Sequence, residues 1–97
     1  MAKTKEVGTK WTHLTDYAYL YSEWTLNAES GRKCEVGVGV KIGGKPRGGR
    51  HKFSEHILVE TYGIGAIHVR VLEGETPCLI RLDQGDAGAI PLPKIDF

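Results

Sequence analysis

A glycine-rich basic segment, residues 37–53, contains the residue types best suited to chemistry in this chain. It runs GVGVKIGGKPRGGRHKF and carries five Lys or Arg from Lys41 to Lys52, with no acid among them. Glycine supplies an adaptable backbone, and Lys and Arg supply the positive charge that binds phosphate. We therefore expect this segment to bind an anionic partner, nucleic acid first, with its histidine as a supplementary donor. The expected binding residues are Lys45, Arg47, Arg50, His51 and Lys52.

Part of this segment matches a phosphate-binding motif. Residues 39–45 fit the first seven positions of the P-loop pattern, GxxxxGK followed by Ser or Thr. Pro46 stands where the magnesium-binding hydroxyl belongs, and the paired glycines that follow disfavour the helix that the motif opens. The partial match therefore does not predict a nucleotide triphosphatase. A plainer alternative stays open, in which the segment is a hairpin turn kept soluble by its charges.

A row of aromatic residues is the second candidate for binding. Tyr17, Tyr19 and Tyr21 share one face if this stretch is a strand, and their rings then form a platform on which unpaired bases stack. Two alternatives remain. The rings also suit the rim of the core. They also suit an exposed aromatic face through which an inhibitor or interaction module of a mobile element binds a protein partner.

Catalytic and metal-binding patterns are missing from the sequence. The histidines lack metal-site spacing, and the two cysteines, Cys34 and Cys78, do not form a C-x2-C pair. Asp83 and Asp86 are close along the chain but stand in a turn-like stretch, and no nucleophile motif occurs. We therefore expect a protein that is not an enzyme and that uses no cofactor or metal. The histidines are His13, His51, His56 and His68.

The distribution of charge supports an oriented surface. The net charge of +1 combines +6 over residues 32–52 with −4 over residues 53–97 and −1 over residues 1–31. Such asymmetry favours one electropositive face.

The N-terminus is polar and no apolar run has the length of a membrane span, so we expect no signal peptide, no membrane partner and a cytoplasmic location. In that compartment the two cysteines are expected to be buried, reduced thiols.

Two stretches have the alternation of strands. In CEVGVGVKI, residues 34–42, the cysteine, three valines and isoleucine lie on one face. Gly37 and Gly39 lie on the other face, where glycine marks a bulge or a close approach by another segment. In AIHVRVL, residues 66–72, Ile67, Val69 and Val71 point inward, and the histidine and arginine between them point outward. The predicted core includes Val36, Val38, Val40, Ile67, Val69, Val71 and Ile80.

Two other stretches are ambiguous between strand and helix. Residues 11–26 and 54–62 both show helical spacing, but their aromatic and β-branched content favours strands. We expect the first to pair with residues 34–42 through the turn NAESGR. Residues 73–77 are expected to form a hairpin that returns residues 78–82 beside residues 66–72.

The predicted fold is mainly β, a single small domain over residues 1–97. It is an antiparallel meander of five or six strands curled into a barrel or sandwich, with an α+β arrangement containing one short helix as the fallback. A polar N-terminal arm is expected at about 1–10, and an extended proline-containing tail at about 89–97. A barrel would allow a further function, binding of a small ligand with the basic segment as a lid. The small core and open strand edges predict a homodimer.

Overall fold

The computed structural model describes residues 2–15, 22–61, 66–74, 76–84 and 94–96. These ranges are mainly β, with a 3-10 turn at Glu29–Gly31 and no α-helix, so the predicted β class is confirmed over the fallback. No helix in the described ranges has the length and apolar character of a membrane span. The strands are β1 (Ala2–Val7), β2 (Thr12–His13), β3 (Ser22–Ala28), β4 (Lys33–Val38), β5 (Lys41–Ile42), β6 (Lys45–Pro46), β7 (Arg50–Ser54), β8 (His56–Thr61), β9 (Ile67–Val71), β10 (Cys78–Gln84) and β11 (Lys94–Asp96).

The described residues form two sheets and a short hairpin. The five-stranded sheet has the order β1-β10-β3-β8-β11, in which only β11 runs parallel to its neighbour. The four-stranded sheet has the order β2-β9-β4-β7 and is antiparallel. Strands β5 and β6 pair only with each other. Apolar residues from both sheets meet in one core, so the arrangement is a sandwich and not a closed barrel.

Residues 22–61 form one long hairpin that bends across the sandwich. β3 pairs with β8 in the first sheet, and β4 pairs with β7 in the second. At the corner between them, Ser30, Gly31 and Glu55 have positive φ values of 55°, 65° and 67°. The Ala28 N–H donates to the Glu55 carbonyl at 2.5 Å. This hydrogen bond links the end of β3 to the connection between β7 and β8 at that corner. The expected pairing of residues 11–26 with residues 34–42 is therefore wrong, because the NAESGR turn carries the chain from one sheet to the other.

The second predicted hairpin is also wrong. β9 pairs with β2 and β4, whereas β10 pairs with β1 and β3 in the opposite sheet. The connection after β9 therefore crosses the sandwich and does not return the chain beside it. In contrast, the strand alternative for residues 54–62 is confirmed through Thr61, because His56–Thr61 is strand β8.

The core contains all but one of the valines and isoleucines predicted for it. Val36, Val69 and Ile80 are fully buried, and each such side chain contributes roughly 1.5 to 3 kcal/mol by leaving water. Val40 is the exception, since 46% of its surface is exposed. β4 ends at Val38 and Gly39 has a φ of +105°, so the predicted alternation stops two residues too early for Val40 to point inward.

The strand edges are protected by charge. β1, formed by most of the expected N-terminal arm, pairs along its length with β10 and leaves Lys3 and Lys5 exposed on one edge. β7 forms an edge of the other sheet and also carries exposed basic residues. Lysine and arginine on an edge strand discourage edge-to-edge pairing. The homodimer stays a prediction, and sedimentation that detects only a 10.7 kDa species would contradict it.

The two cysteines meet inside the core. Cys34 on β4 and Cys78 on β10 come from opposite sheets, and both are free and fully buried. Burial raises the pKa of the Cys34 thiol to about 11, with a further contribution from the adjacent Cys78 thiol. Both side chains therefore serve as small apolar residues in this structure.

Candidate anion-binding face

The basic segment folds into a hairpin over the outer face of the four-stranded sheet. Gly39 turns the chain out of β4, and the Gly48 N–H donates to the Val38 carbonyl at 2.6 Å. At the tip, Gly43 and Gly44 have φ values of 63° and 80°, as a two-residue type I′ turn requires. The paired glycines therefore build a tight hairpin, which places β5 and β6 back over β4.

A close contact at Gly37 holds this hairpin against the sheet. A Cβ atom at Gly37 would lie 3.1 Å from Pro46 Cβ and 3.2 Å from Trp11 Cζ3. Pro46 and Trp11 are both buried. A Cβ at Gly39 would similarly lie 2.8 Å from the Gly48 nitrogen. Of the two alternatives predicted for these glycines, a bulge or a close approach, the structure shows the close approach, and the approaching segment is the hairpin at residues 39–48.

His68 supports the base of the hairpin. It lies on the outer side of β9, as predicted, yet only 4% of it is exposed because this side of the sheet is covered. Its Nε2 forms a hydrogen bond with the Gly39 carbonyl at 3.0 Å. Its ring lies 5.4 Å from that of His13, its partner on β2. An outward-pointing side chain on β9 is therefore not an exposed one here, since alternation along a strand does not show that another segment covers this face.

The structure brings four of the five predicted basic residues to one side of the sheet. Arg50 and Lys52 lie opposite Gly37 and Glu35, on the outer face of β7. Lys45 and Arg47 lie on the hairpin above this face, and all four side chains are exposed. We refer to Lys45, Arg47, Arg50 and Lys52 as the basic face.

His51 is separated from the basic face. It is the register partner of the core residue Val36, so it lies on the opposite side of β7 from its two neighbours in sequence. It is exposed because β7 is an edge strand. Side chains alternate between the two faces of a strand, so the histidine that stands between two basic residues in the sequence lies on the face opposite to theirs.

None of the four side chains of the basic face forms an ion pair with a residue in the described ranges. Some basic residues elsewhere do form such pairs, for example Lys33 with Glu73 at 3.5 Å and Arg81 with Asp83 at 3.0 Å. The positive charge of the basic face is therefore not neutralised by a bonded carboxylate within this part of the protein. The basic face is therefore a local concentration of positive charge that is open to solvent.

Arg70, Glu35 and Trp11 form a cluster that sequence reasoning did not find. The Nε and Nη2 atoms of Arg70 donate to Glu35 Oε1 at 2.8 and 2.7 Å. The Arg70 guanidinium also lies 5.1 Å from the centre of the Trp11 ring, within the range of a cation–π contact. The pairing of β4 with β9 places Glu35 opposite Arg70, and this register is a tertiary fact.

A recess of about 380 Å³ opens beside this cluster, between the hairpin tip and residues 9–11. Lys10, Lys45 and Arg70 line it together with the Gly43–Gly44 turn, and none of the acidic residues that the structure describes does so. Trp11 forms part of its wall. The recess therefore lies between residues 9–11 and one end of the basic face.

The other predicted site residues give less information. Tyr17, Tyr19 and Tyr21 lie outside the described residues, as does Asp86. Asp83 pairs with Arg81 and lies in strand β10. Among the residues that the structure describes, no group of three or more His, Cys, Asp or Glu is arranged to hold a metal ion.

Comparison with known proteins does not assign the chain to a family. No family model, no curated protein and no solved structure matches it. The function must therefore be inferred from the geometry and charge of the basic face.

Proposed function

We propose that this domain is a non-enzymatic nucleic-acid-binding module that holds phosphate groups on the basic face. The observation that carries the proposal is the gathering of four exposed basic side chains on one side of the four-stranded sheet. None of the four is paired with an acid among the described residues. Neutralising phosphates with Lys and Arg releases counterions, and this release supplies most of the affinity of non-specific binding.

The docked hairpin favours this function. Pro46 packs on Gly37, and backbone hydrogen bonds link Arg47 to Val40 and Gly48 to Val38. Two of the four basic residues are thus carried by an ordered segment, so less conformational entropy is lost on binding than for a free loop. Contacts of this kind position a nucleic acid without reading its bases, and weak sequence preference is expected.

A protein partner is the second candidate. Val40 and Ile42 are 46% and 55% exposed, and both belong to the same docked hairpin. Exposed apolar side chains beside one another favour a protein interface. Under this alternative, changing Val40 and Ile42 to Ser removes partner binding, and neutralising the basic face has less effect.

The experiment is a salt titration of binding to mixed-sequence oligonucleotides, single-stranded and duplex. Three proteins are compared: the native chain, a face variant with Lys45, Arg47, Arg50 and Lys52 changed to Ala, and a control. The control carries Ala at Lys3, Lys5, Arg81 and Lys94, which lie on β1, β10 and β11 of the opposite, five-stranded sheet. Both variants lose four positive charges, so they have the same net charge and differ only in where charge was removed.

For the native protein, log affinity for duplex should fall with log salt at a slope of about −3.6, from about −0.9 for each of four contacts. The slope for single strands should be about −2.8. The face variant should lose most of this dependence, and the control should keep it. Equal losses in the two variants would show that net charge and not the basic face governs binding. Absence of native binding at low salt would reject the proposal and favour the protein-partner alternative.

A further inference from the structure

The recess at the hairpin tip differs from the basic face in shape. Its volume of about 380 Å³ is at the small end of the range for ligand pockets. It therefore suits a single small group better than a run of nucleotides. Its two lysines, Lys10 and Lys45, form no ion pair with the described residues.

Arg70 is held in a fixed orientation at the wall of the recess. Glu35 accepts hydrogen bonds from its Nε and Nη2, and the Trp11 ring lies beneath the guanidinium. Two sides of the guanidinium are thus occupied, and 37% of the side chain remains exposed. The remaining Nη1 donors are available for a ligand. Because Glu35 offsets one of the three positive charges, the recess has a local charge of about +2.

A phosphate monoester is the anion that this charge matches. It carries roughly −1.5 to −2 at pH 7, with three acceptor oxygens. A phosphodiester within a strand carries a single negative charge. Thr9 also lines the recess and adds a hydroxyl donor. Charge and donor number therefore both favour the end of a strand over its interior.

The position of the recess agrees with this assignment. The row Arg70, Glu35 and Lys52 crosses β9, β4 and β7 in register. Adjacent strands are about 4.8 Å apart, so Lys52 lies roughly 10 Å from the recess across the sheet. A nucleic-acid strand whose terminal phosphate lies in the recess can run along this row, over the basic face. The recess thus lies at one end of the proposed binding path.

We infer that the recess binds the terminal phosphate monoester of a nucleic-acid strand through Lys10, Lys45 and Arg70. The inference rests on the proposed nucleic-acid binding of the basic face. In this arrangement Trp11 acts as a positioning residue, because only 9% of it is exposed and it orients Arg70 instead of stacking on a base. The chemistry is shared by 5′ and 3′ phosphates, which the experiment below separates.

The test compares three single-stranded oligonucleotides of one sequence, ending in a 5′ phosphate, a 3′ phosphate or hydroxyl groups only. Each is labelled internally and titrated at constant salt. One terminal phosphate should increase the affinity of the native protein by about tenfold, the equivalent of one charge-assisted hydrogen-bonding site. Lys10→Ala should reduce the affinity ratio between phosphate and hydroxyl ends to nearly one. Lys52→Ala should lower both affinities and keep that ratio.

The orientation of Arg70 has its own control. Arg70→Lys keeps the charge but loses the forked contact with Glu35, so it should reduce the ratio severalfold. If the native protein binds all three oligonucleotides equally, the terminal-phosphate site is wrong, and the nucleic-acid function of the basic face still stands. If it binds none of them at low salt, the proposed function itself is wrong.

Discussion

Pro46 packs directly on Gly37, so the hairpin that carries Lys45 and Arg47 rests on the sheet that carries Arg50 and Lys52. This contact joins two parts of the basic segment into one surface. It depends on the absence of a side chain at position 37. The arrangement of the basic face therefore rests on one glycine.

Gly37→Ala should destabilise the protein although alanine has the higher strand propensity. The added Cβ collides with Pro46 and Trp11, and we expect a loss of about 1 to 3 kcal/mol in the free energy of unfolding, as in overpacked cores. Urea denaturation measures this loss. Gly8→Ala is the matched control, since nothing lies within 4 Å of a Cβ there, and it should change stability by less than about 0.5 kcal/mol. Equal effects of the two substitutions would show that the contact at Gly37 can relax.

His51→Ala should have little effect on oligonucleotide binding at pH 7, although the sequence places this histidine inside the basic segment. Its side chain lies on the opposite side of β7 from Arg50 and Lys52. Each of those two residues, changed singly to Ala, should reduce the magnitude of the salt slope by about 0.9 on duplex DNA. Fluorescence anisotropy across a salt series checks all three variants. A loss in His51→Ala as large as in Lys52→Ala would contradict the assignment of faces.

His68→Ala should loosen the hairpin and lower its protection from hydrogen exchange. The substitution removes a buried ring and the hydrogen bond to the Gly39 carbonyl, at a cost of roughly 1 to 3 kcal/mol. The amides of Arg47 and Gly48, which bond across the base of the hairpin, should then exchange faster. NMR exchange rates provide the measurement, with exposed His51→Ala as the control. Unchanged protection at both amides would show that His68 does not hold the hairpin.

The buried Cys34 thiol should make the protein less stable in alkali. Its pKa is raised from 9.0 to about 11, chiefly by burial and also by the neighbouring Cys78. Between these values the unfolded chain releases a proton that the folded chain keeps, so stability falls as pH rises. The stabilising contribution is complete below pH 9 and decreases by roughly 2 to 3 kcal/mol as pH approaches 11.

Urea denaturation at several pH values from 8 to 11 measures this loss. Cys34→Val provides the comparison, since it keeps an apolar side chain at this core position without an ionisable group. The variant should lose less stability over that pH interval than the native protein. Parallel decreases in the two proteins would assign the alkaline loss to lysines or tyrosines and not to Cys34.

The sequence by itself determined the β class and most of the core. The alternation at residues 34–38 and 67–71 survives in β4 and β9, because a strand between core and surface imposes a period of two. It also indicated the close approach at Gly37 and Gly39, since a strand tolerates glycine poorly without such a reason. Strand alternation and the positions of glycine within a strand are set by residues close together in the chain, so the sequence pattern is sufficient to predict them.

Only the tertiary structure decided which strands pair and which surface the basic residues share. The chain crosses between sheets near Gly31 and again between β9 and β10. Strands that follow one another in sequence therefore lie in opposite sheets and do not pair. Burial of His68, pairing of Glu35 with Arg70 and the recess beside Lys10 all depend on this path. Each brings together residues distant in the chain, and their contact depends on long-range register and on the folding of the hairpin over β4. Hydrophobic periodicity carries no information about either.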